Sequence, residues 1–362
     1  MTKTTPQILD IGGGELRAYN KALLEKKLFW TQDEEQPSNG DVDVHVQPRK
    51  RVLPTSIIYG DKGLELWARI THLPSYYQTR GEAALLAENA AELGRWIRRD
   101  SLLIDLGCGD IRKLTPLLEE LNRSQKPVLY CPLDLSRRSI QRAIEQTELF
   151  SRFPCISVTG LWGSFEDGVD WANRTSGDDD RPRVFLSLGS MLGNDYFEPA
   201  VARLKWLCET GLRSESDLIL LTMDGTKDGE KICESYDDAE GLFTAFIRQG
   251  FEDSNHLFGA DADSWYRHED WSLLRTLTTA PATQHRFVLQ AKRNVQCPPV
   301  RDVTFRQGDE IHCYEGFKYG PEEMGRQFEA AGLRVYACWK GPHDDIWNAA
   351  FCSVEPMPNG AV

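Results

Sequence analysis

One stretch constrains this chain more than any other. From Ser101 to Lys113 it reads SLLIDLGCGDIRK, an apolar run that ends in Asp105 and breaks into Gly107-Cys108-Gly109 ahead of a helix-like pattern. The two glycines carry no Cβ, so the backbone there is free to turn sharply and approach a ligand closely. Unpaired N–H groups of the following helix face the same place. The stretch predicts the first strand, turn and helix of a doubly wound α/β sheet, with its ligand beyond the strand's carboxyl end.

A glycine pair after an apolar run is also a common plain turn, and the next strand decides between the two. Val128 to Leu133 is apolar and ends in Asp134, whose carboxylate suits the two hydroxyls of an adenosine ribose. The third glycine of the dinucleotide fingerprint is missing, because Arg112 stands in its place. A dinucleotide needs close backbone approach to a pyrophosphate, whereas S-adenosylmethionine has no phosphate and requires only the first turn. The stretch therefore points to a methyl donor. A nicotinamide oxidoreductase and a non-catalytic amino-acid or nucleoside sensor are the competing readings of the same glycine turn and Asp134.

Composition narrows the partners. A formal charge of −13 over 362 residues, with only short basic runs at Arg49-Lys50-Arg51 and Arg98-Arg99, argues against nucleic acid and for a small-molecule substrate. The nine cysteines contain no C-x-x-C, so neither a disulfide framework nor a metal site is expected. MTKTTPQILDIGGG lacks a signal-like apolar run and no eighteen apolar residues follow one another, which predicts a cytoplasmic protein without a membrane partner, with a monomer favoured.

Along the chain, Leu16 to Leu28 predicts a helix and Thr31 to Lys50 an exposed loop. Trp67, Ile70 and Leu73 share one face of a helix stopped by Pro74, and Gly81 to Arg98 form a second helix leading into the sheet. Strands are expected at Cys155 to Val158, Arg183 to Leu188 and Leu218 to Met223, with helices at Arg137 to Phe150 and Pro199 to Cys208 between them. Beyond Lys227, helices end near Tyr236 and run through Phe243 and Phe246, followed by an aromatic loop at Trp265, Tyr266 and Trp271. Arg286 to Ala291, Val303 to Phe305 and Glu310 to Phe317 alternate as strands do. A helix, Glu322 to Ala331, then precedes two strands, Arg334 to Trp339 and Trp347 to Val354, expected to close the main sheet as an antiparallel pair.

Five blocks, YGDKGLELWARITHLPSYYQTRGE, LIDLGCGDIRK, PLDLS, LSLGSMLGN and KDGEKICESYDDAEGLFTAF, make the chain resemble the histidine-specific, S-adenosylmethionine-dependent amino-acid Nα-methyltransferases along nearly its whole length. Bacterial ergothioneine-pathway enzymes and fungal 4-dimethylallyltryptophan N-methyltransferases belong to that family. The resemblance implies a Rossmann-like methyltransferase domain, residues 80–226 plus 317–362, and an α+β substrate-recognition domain, residues 1–79 plus 227–316. It also implies that Gly107 and Gly109 approach the methionine part of the donor, Asp134 its ribose and the Ser164-Phe165 turn its adenine, with Lys113 helping to orient it. Many relatives carry Asp where this chain has Ser164.

On the substrate side the resemblance makes Asn194 and Tyr236 the holders of an amino-acid carboxylate, with Gly189 and Met191 in the same block as Asn194, and puts Tyr59 near the amine. An amide N–H and a phenol O–H both donate to carboxylates. Trp67 and Tyr76 match positions walling the side-chain pocket, which suits a flat aromatic substrate. Histidine-methylating members grip the imidazole with a glutamate and a serine two residues later; aligning on Phe317-Lys318-Tyr319 puts Tyr314 and Gly316 there. That departure favours a bulkier ring, as in the fungal tryptophan-derivative enzymes of alkaloid-type metabolism. A one-place slide of the alignment would bring in Glu315 and keep histidine as the alternative. Tyr59 is the expected guide of the attacking amine, directly or through water.

Overall fold

A computed structural model describes residues 6–30, 50–146, 152–175, 181–259, 264–297, 303–342 and 346–352. Its larger part is a sheet of eight strands in the order β1 (Gln7–Asp10), β5 (Ile156–Trp162), β4 (Val128–Asp134), β3 (Ser101–Leu106), β6 (Arg183–Ser187), β7 (Leu218–Asp224), β14 (Ile346–Cys352) and β13 (Arg334–Lys340). The first six are parallel, and β14 and β13 close the edge antiparallel, as the terminal pattern predicts. From β3 the chain builds outward through β4 and β5, then returns to the other side of β3 for β6 and β7. The carboxyl ends of β3 and β6 are thus neighbours at the reversal of strand order, where an open α/β sheet holds its ligand.

Both faces of this sheet are covered. Leu102, Ile104 and Leu106 sink into one apolar cluster with Leu133, Phe185 and Ile219, while Leu103 enters the opposite cluster with Tyr130, Val184 and Leu220. A period of two with apolar residues on both faces leaves no polar alternation, hence the continuous apolar runs in the sequence. Each buried leucine contributes roughly 1.5–3 kcal/mol relative to exposure.

A smaller antiparallel-dominated sheet runs β2 (Arg51–Val52), β12 (Glu310–Lys318), β9 (Thr283–Ala291) and β8 (Trp271–Thr278). Helices Leu16–Lys27, Thr55–Ile58, Asp61–Ile70, Gly229–Tyr236 and Leu242–Leu257 contribute to the same apolar cluster as this sheet, around Phe243, Phe246, Trp265 and Phe287. β10 (Val295–Cys297) and β11 (Val303–Phe305) form a separate antiparallel pair.

Several expectations need correction. Gln7–Asp10 pairs in parallel with β5, so the amino-terminal strand lies in the larger sheet and not with the rest of residues 1–79. The boundary drawn at residue 316 falls inside β12, which is continuous to Lys318. Trp271 begins a strand instead of ending a loop, and the long helix starts at Tyr77 rather than Gly81, because Tyr77, Gln78, Glu82, Leu85 and Leu86 share its buried side. The loop expected over Thr31 to Lys50, except Lys50, lies outside the described residues, as do residues 147–150 of one predicted helix and 353–354 of the last strand. Among the described residues, no helix is long and apolar enough to cross a membrane.

Candidate active site

The turn after β3 has the conformation its glycines permit. Gly107 and Gly109 sit at φ +67° and +45°, in the left-handed region that side chains rarely adopt. A Cβ on Gly107 would lie 3.0 Å from Met191 Cε and 3.5 Å from the Phe165 ring, so this turn, the segment after β6 and the helix Phe165–Thr175 meet at one point. At the tip of β4, Asp134 is buried, and burial pushes its carboxyl up to about 6 while the backbone amides of Ser136, Leu135 and Gly109 pull against it. Its contacts to Ser136 N and Ser139 Oγ are both long, 3.4 Å. Asp105 Oδ1 is buried with no partner among the described residues. A backbone cradle that a Cβ would fill, a buried carboxylate at the next strand tip and an orphaned acceptor beneath the turn fit an adenosyl donor bearing hydroxyls and an ammonium group.

Ser164 serves the helix more than a ligand. Its N–H and Oγ both donate to Asp167 Oδ2 at 2.8 Å, and the Asp167 N–H returns to Ser164 Oγ at 3.1 Å. This reciprocal cap occupies the hydroxyl at the start of the helix Phe165–Thr175.

Lys113 and Gly189 are joined by a residue that motif reading passed over. Glu82, buried in the long helix, accepts the Gly189 N–H on Oε1 at 2.7 Å and pairs with Lys113 Nζ through Oε2 at 3.0 Å. Burial opposes the Lys113 charge, but Glu82 and Asp105 outweigh it and hold the ammonium above its ordinary range. One carboxylate therefore pins the β3 and β6 turns to the same helix. Gly189 at φ +82° and Ser190 at φ +58° make that second turn, and Ser190 Oγ accepts the Asp224 N–H.

The substrate-side residues gather around Gly316. Asn194 donates from Nδ2 to the Glu315 carbonyl at 2.9 Å and accepts the Phe317 N–H on Oδ1 at 2.7 Å, so its amide stands in for a neighbouring strand beside β12. One amide N–H remains beyond those bonds. A Cβ on Gly316 would fall 2.5 Å from the Tyr236 hydroxyl. That hydroxyl accepts from Gln78 Nε2 at 3.1 Å and from Lys318 Nζ at 2.9 Å. Gln78 Oε1 takes the Tyr76 O–H at 2.8 Å, and Lys318 reaches Asp224 Oδ2 at 2.7 Å, an oxygen that also receives the Tyr77 O–H at 2.6 Å. The network Tyr76–Gln78–Tyr236–Lys318–Asp224–Tyr77 is buried throughout.

Next to it lies a cage of rings. Tyr59 packs edge-on to Trp67 and Phe246 at 5.6 and 5.2 Å, Trp67 meets Tyr76 at 5.6 Å, and Tyr314 approaches Phe246 at 6.2 Å and Tyr236 at 6.4 Å. Burial drives the phenols of both Tyr59 and Tyr314 upward, so both stay protonated at neutral pH. Tyr314, Gly316 and Lys318 share one face of β12, as period two requires. Glu315 is on the other face, with Oε1 3.4 Å from His312 Nδ1.

The sequence-identified residues fall into two groups: Gly107, Gly109, Lys113, Asp134, Ser164 and Phe165 at the strand tips, and Tyr59, Trp67, Tyr76, Asn194, Tyr236, Tyr314 and Gly316 at the cage; Gly189 and Met191, expected on the substrate side, lie instead beside Lys113 and Gly107 at the strand tips. Glu82, Gln78, Asp224 and Lys318 were not singled out as site residues. Their only advance signal is polarity inside otherwise apolar patterns: Gln78 and Glu82 fall on the buried stripe of a helix, and Asp224 and Lys318 end buried strands.

Comparison with known proteins identifies the family. Residues 40–351 match the model of a family described as histidine-specific methyltransferase, S-adenosylmethionine-dependent. Ergothioneine biosynthesis protein 1 of Neurospora crassa is 30% identical over 290 residues, 80% of this chain but only 32% of that longer protein. The 4-dimethylallyltryptophan N-methyltransferase of Aspergillus fumigatus is 27% identical over 306 residues, 82% of this chain and 88% of its own length. Among solved structures, a magnesium protoporphyrin IX methyltransferase from Synechocystis PCC 6803 with bound SAH overlaps at a TM-score of 0.40 and 10% identity, covering 83% of this chain and 97% of that one.

Proposed function

Because this chain belongs to the family of histidine-specific, S-adenosylmethionine-dependent methyltransferases, we propose that it methylates the α-amino nitrogen of an aromatic amino acid of the tryptophan type, a prenylated indole included. It is an S-adenosylmethionine-dependent methyltransferase acting on amino-acid-type substrates; the choice of side chain is our reading. The observation that carries it is the alternation along β12. Tyr314 and Gly316 face the ring cage while Glu315 turns to His312, so the slid alignment offers no carboxylate to an imidazole. A pocket without a carboxylate for a ring N–H gives up the strong discrimination such a group supplies and gains room. The Aspergillus relative, a 4-dimethylallyltryptophan N-methyltransferase, acts on that substrate class and is matched over most of both lengths.

When bound, the donor supplies a methyl group on a positively charged sulfur, open to in-line attack. The protein's own work is positioning. Holding amine and methyl in near-attack geometry is worth up to about 7–11 kcal/mol in favourable systems. In this reading Tyr236 and Asn194 fix the carboxylate, the ring cage fixes the side chain, and the Tyr59 hydroxyl, on a ring held edge-on by Trp67 and Phe246, orients the neutral amine. Tyr59 remains a phenol throughout and guides the amine without acting as a strong base. The smaller sheet and its helices serve as the substrate-recognition part, with the donor on the larger sheet.

Histidine is the second reading, favoured by the family description and by the Neurospora relative, of which this chain spans about a third. Incubating purified protein and donor with histidine, tryptophan and 4-dimethylallyltryptophan, with mass fragmentation to locate the methyl group, separates the two. Methylation of an indole amino acid on its α-nitrogen is expected; preference for histidine overturns the proposal.

A further inference from the structure

The Tyr236 hydroxyl has more donors around it than a lone phenol needs. Gln78 Nε2 and Lys318 Nζ both donate to it, which fills its two lone pairs and leaves its own hydrogen to be given away. No described residue accepts that hydrogen. Lys318, an ammonium, has only donors to offer, and Gln78 presents its N–H₂ while its carbonyl oxygen accepts the Tyr76 hydroxyl. Lys318 is in turn immobilised: it is 2% exposed and bonded to Asp224, whose oxygens also receive the Tyr77 O–H and the Thr226 N–H. Its Nζ would be 3.7 Å from a Cβ on Gly316, so the missing side chain leaves the ammonium and the Tyr236 hydroxyl side by side at the point that Asn194 brackets.

We infer that Lys318 is the positioning residue that selects for a free carboxylate: it holds Tyr236 with its O–H turned toward the substrate and adds a positive charge behind that bond. The inference rests on the reading above that Tyr236 receives the substrate carboxylate. His285, stacked on the Tyr236 ring at 4.5 Å, is pushed down to about 4 by burial and by the neighbouring Lys318 and Arg275, so it contributes a neutral plate and no second charge at neutral pH. A hydrogen bond with an ionised partner is about twice as strong as a neutral one. An enzyme relying on one should therefore separate an amino acid from its decarboxylated amine.

The test measures kcat/KM for whichever of histidine, tryptophan and 4-dimethylallyltryptophan is methylated fastest, and for the matching amine, in full-length wild type and in Lys318→Met, Lys318→Arg, Tyr236→Phe and the double variant Lys318→Met with Asp224→Asn. The double variant keeps the buried charges balanced and so remains informative where Lys318→Met alone fails to fold. The amino-acid-to-amine ratio should drop about tenfold or more in the double variant, through KM, the size set by losing one charge-assisted hydrogen bond. Lys318→Arg should retain most of the ratio. An unchanged ratio in the folded double variant, with Tyr236→Phe still lowering it, overturns the role of Lys318 alone. An unchanged ratio in Tyr236→Phe overturns the carboxylate reading on which it rests.

Discussion

Gly316 and Tyr236 claim adjoining space that only a glycine leaves open, since a Cβ at position 316 would stand 2.5 Å from the tyrosine hydroxyl. Overpacking of this kind costs about 1–3 kcal/mol when the surroundings must move. Gly316→Ala should lower the unfolding midpoint and raise the amino-acid KM while leaving donor affinity intact. Thermal unfolding and a donor titration check this; wild-type stability and KM would mean that Tyr236 does not rest on Gly316.

Asp134 links donor binding to pH. Its carboxyl sits at about 6 in the folded protein against 3.8 in the reference state, so the folded chain holds that proton more tightly than the unfolded one. The sign follows: the apo-protein loses stability as pH rises from about 4 to about 6 and carries the full cost above that. Donor hydroxyls need the ionised form, so donor affinity should be flat at high pH and fall below about 6. Asp134→Asn should weaken donor binding by about tenfold to a hundredfold at pH 8, from the loss of bonds to a charged acceptor, and yet raise the melting temperature of the free protein. Calorimetric titration across pH measures the first effect and a melting curve the second. Some pH dependence will survive through Asp105, also pushed up to about 6 by burial.

Glu82 and Lys113 form a buried pair beneath the two turns. Removing one partner strands the other, a loss of about 3–5 kcal/mol, whereas removing both is far milder. Urea unfolding of Glu82→Gln, Lys113→Met and the double variant should give strongly non-additive losses. Additive losses would show that the pair is not coupled.

Tyr59→Phe deletes the hydroxyl that, in the proposed mechanism, guides the amine. Its removal should cut kcat about tenfold, the worth of one hydrogen bond made in the transition state, and alter the pH profile of the rate. A profile and rate matching wild type remove Tyr59 from the mechanism.

The parallel sheet was readable because each of its central strands is apolar on both faces and ends in a glycine or an acid. Gln7–Asp10 escaped notice: four residues pairing with β5, some 150 positions away, carry no local pattern of their own. Trp271–Thr278 escaped because much of it is exposed, leaving little alternation. The donor site was legible from Gly107, Gly109 and Asp134, whose chemistry is local to two strand tips. The Tyr76 to Tyr77 network was not. It joins residues from the long helix, β7, the helix Gly229–Tyr236 and β12, and only the packing of both sheets brings Lys318 to Asp224 and Tyr236.

A crystal structure with the demethylated donor and an indole amino acid reads the whole arrangement at once. The ribose should lie on Asp134 with the sulfur above the Gly107 turn, the carboxylate on Tyr236 and Asn194, and the α-nitrogen facing the sulfur. Density for the amino acid outside the Tyr314 cage, or a nitrogen turned away from the sulfur, would contradict it.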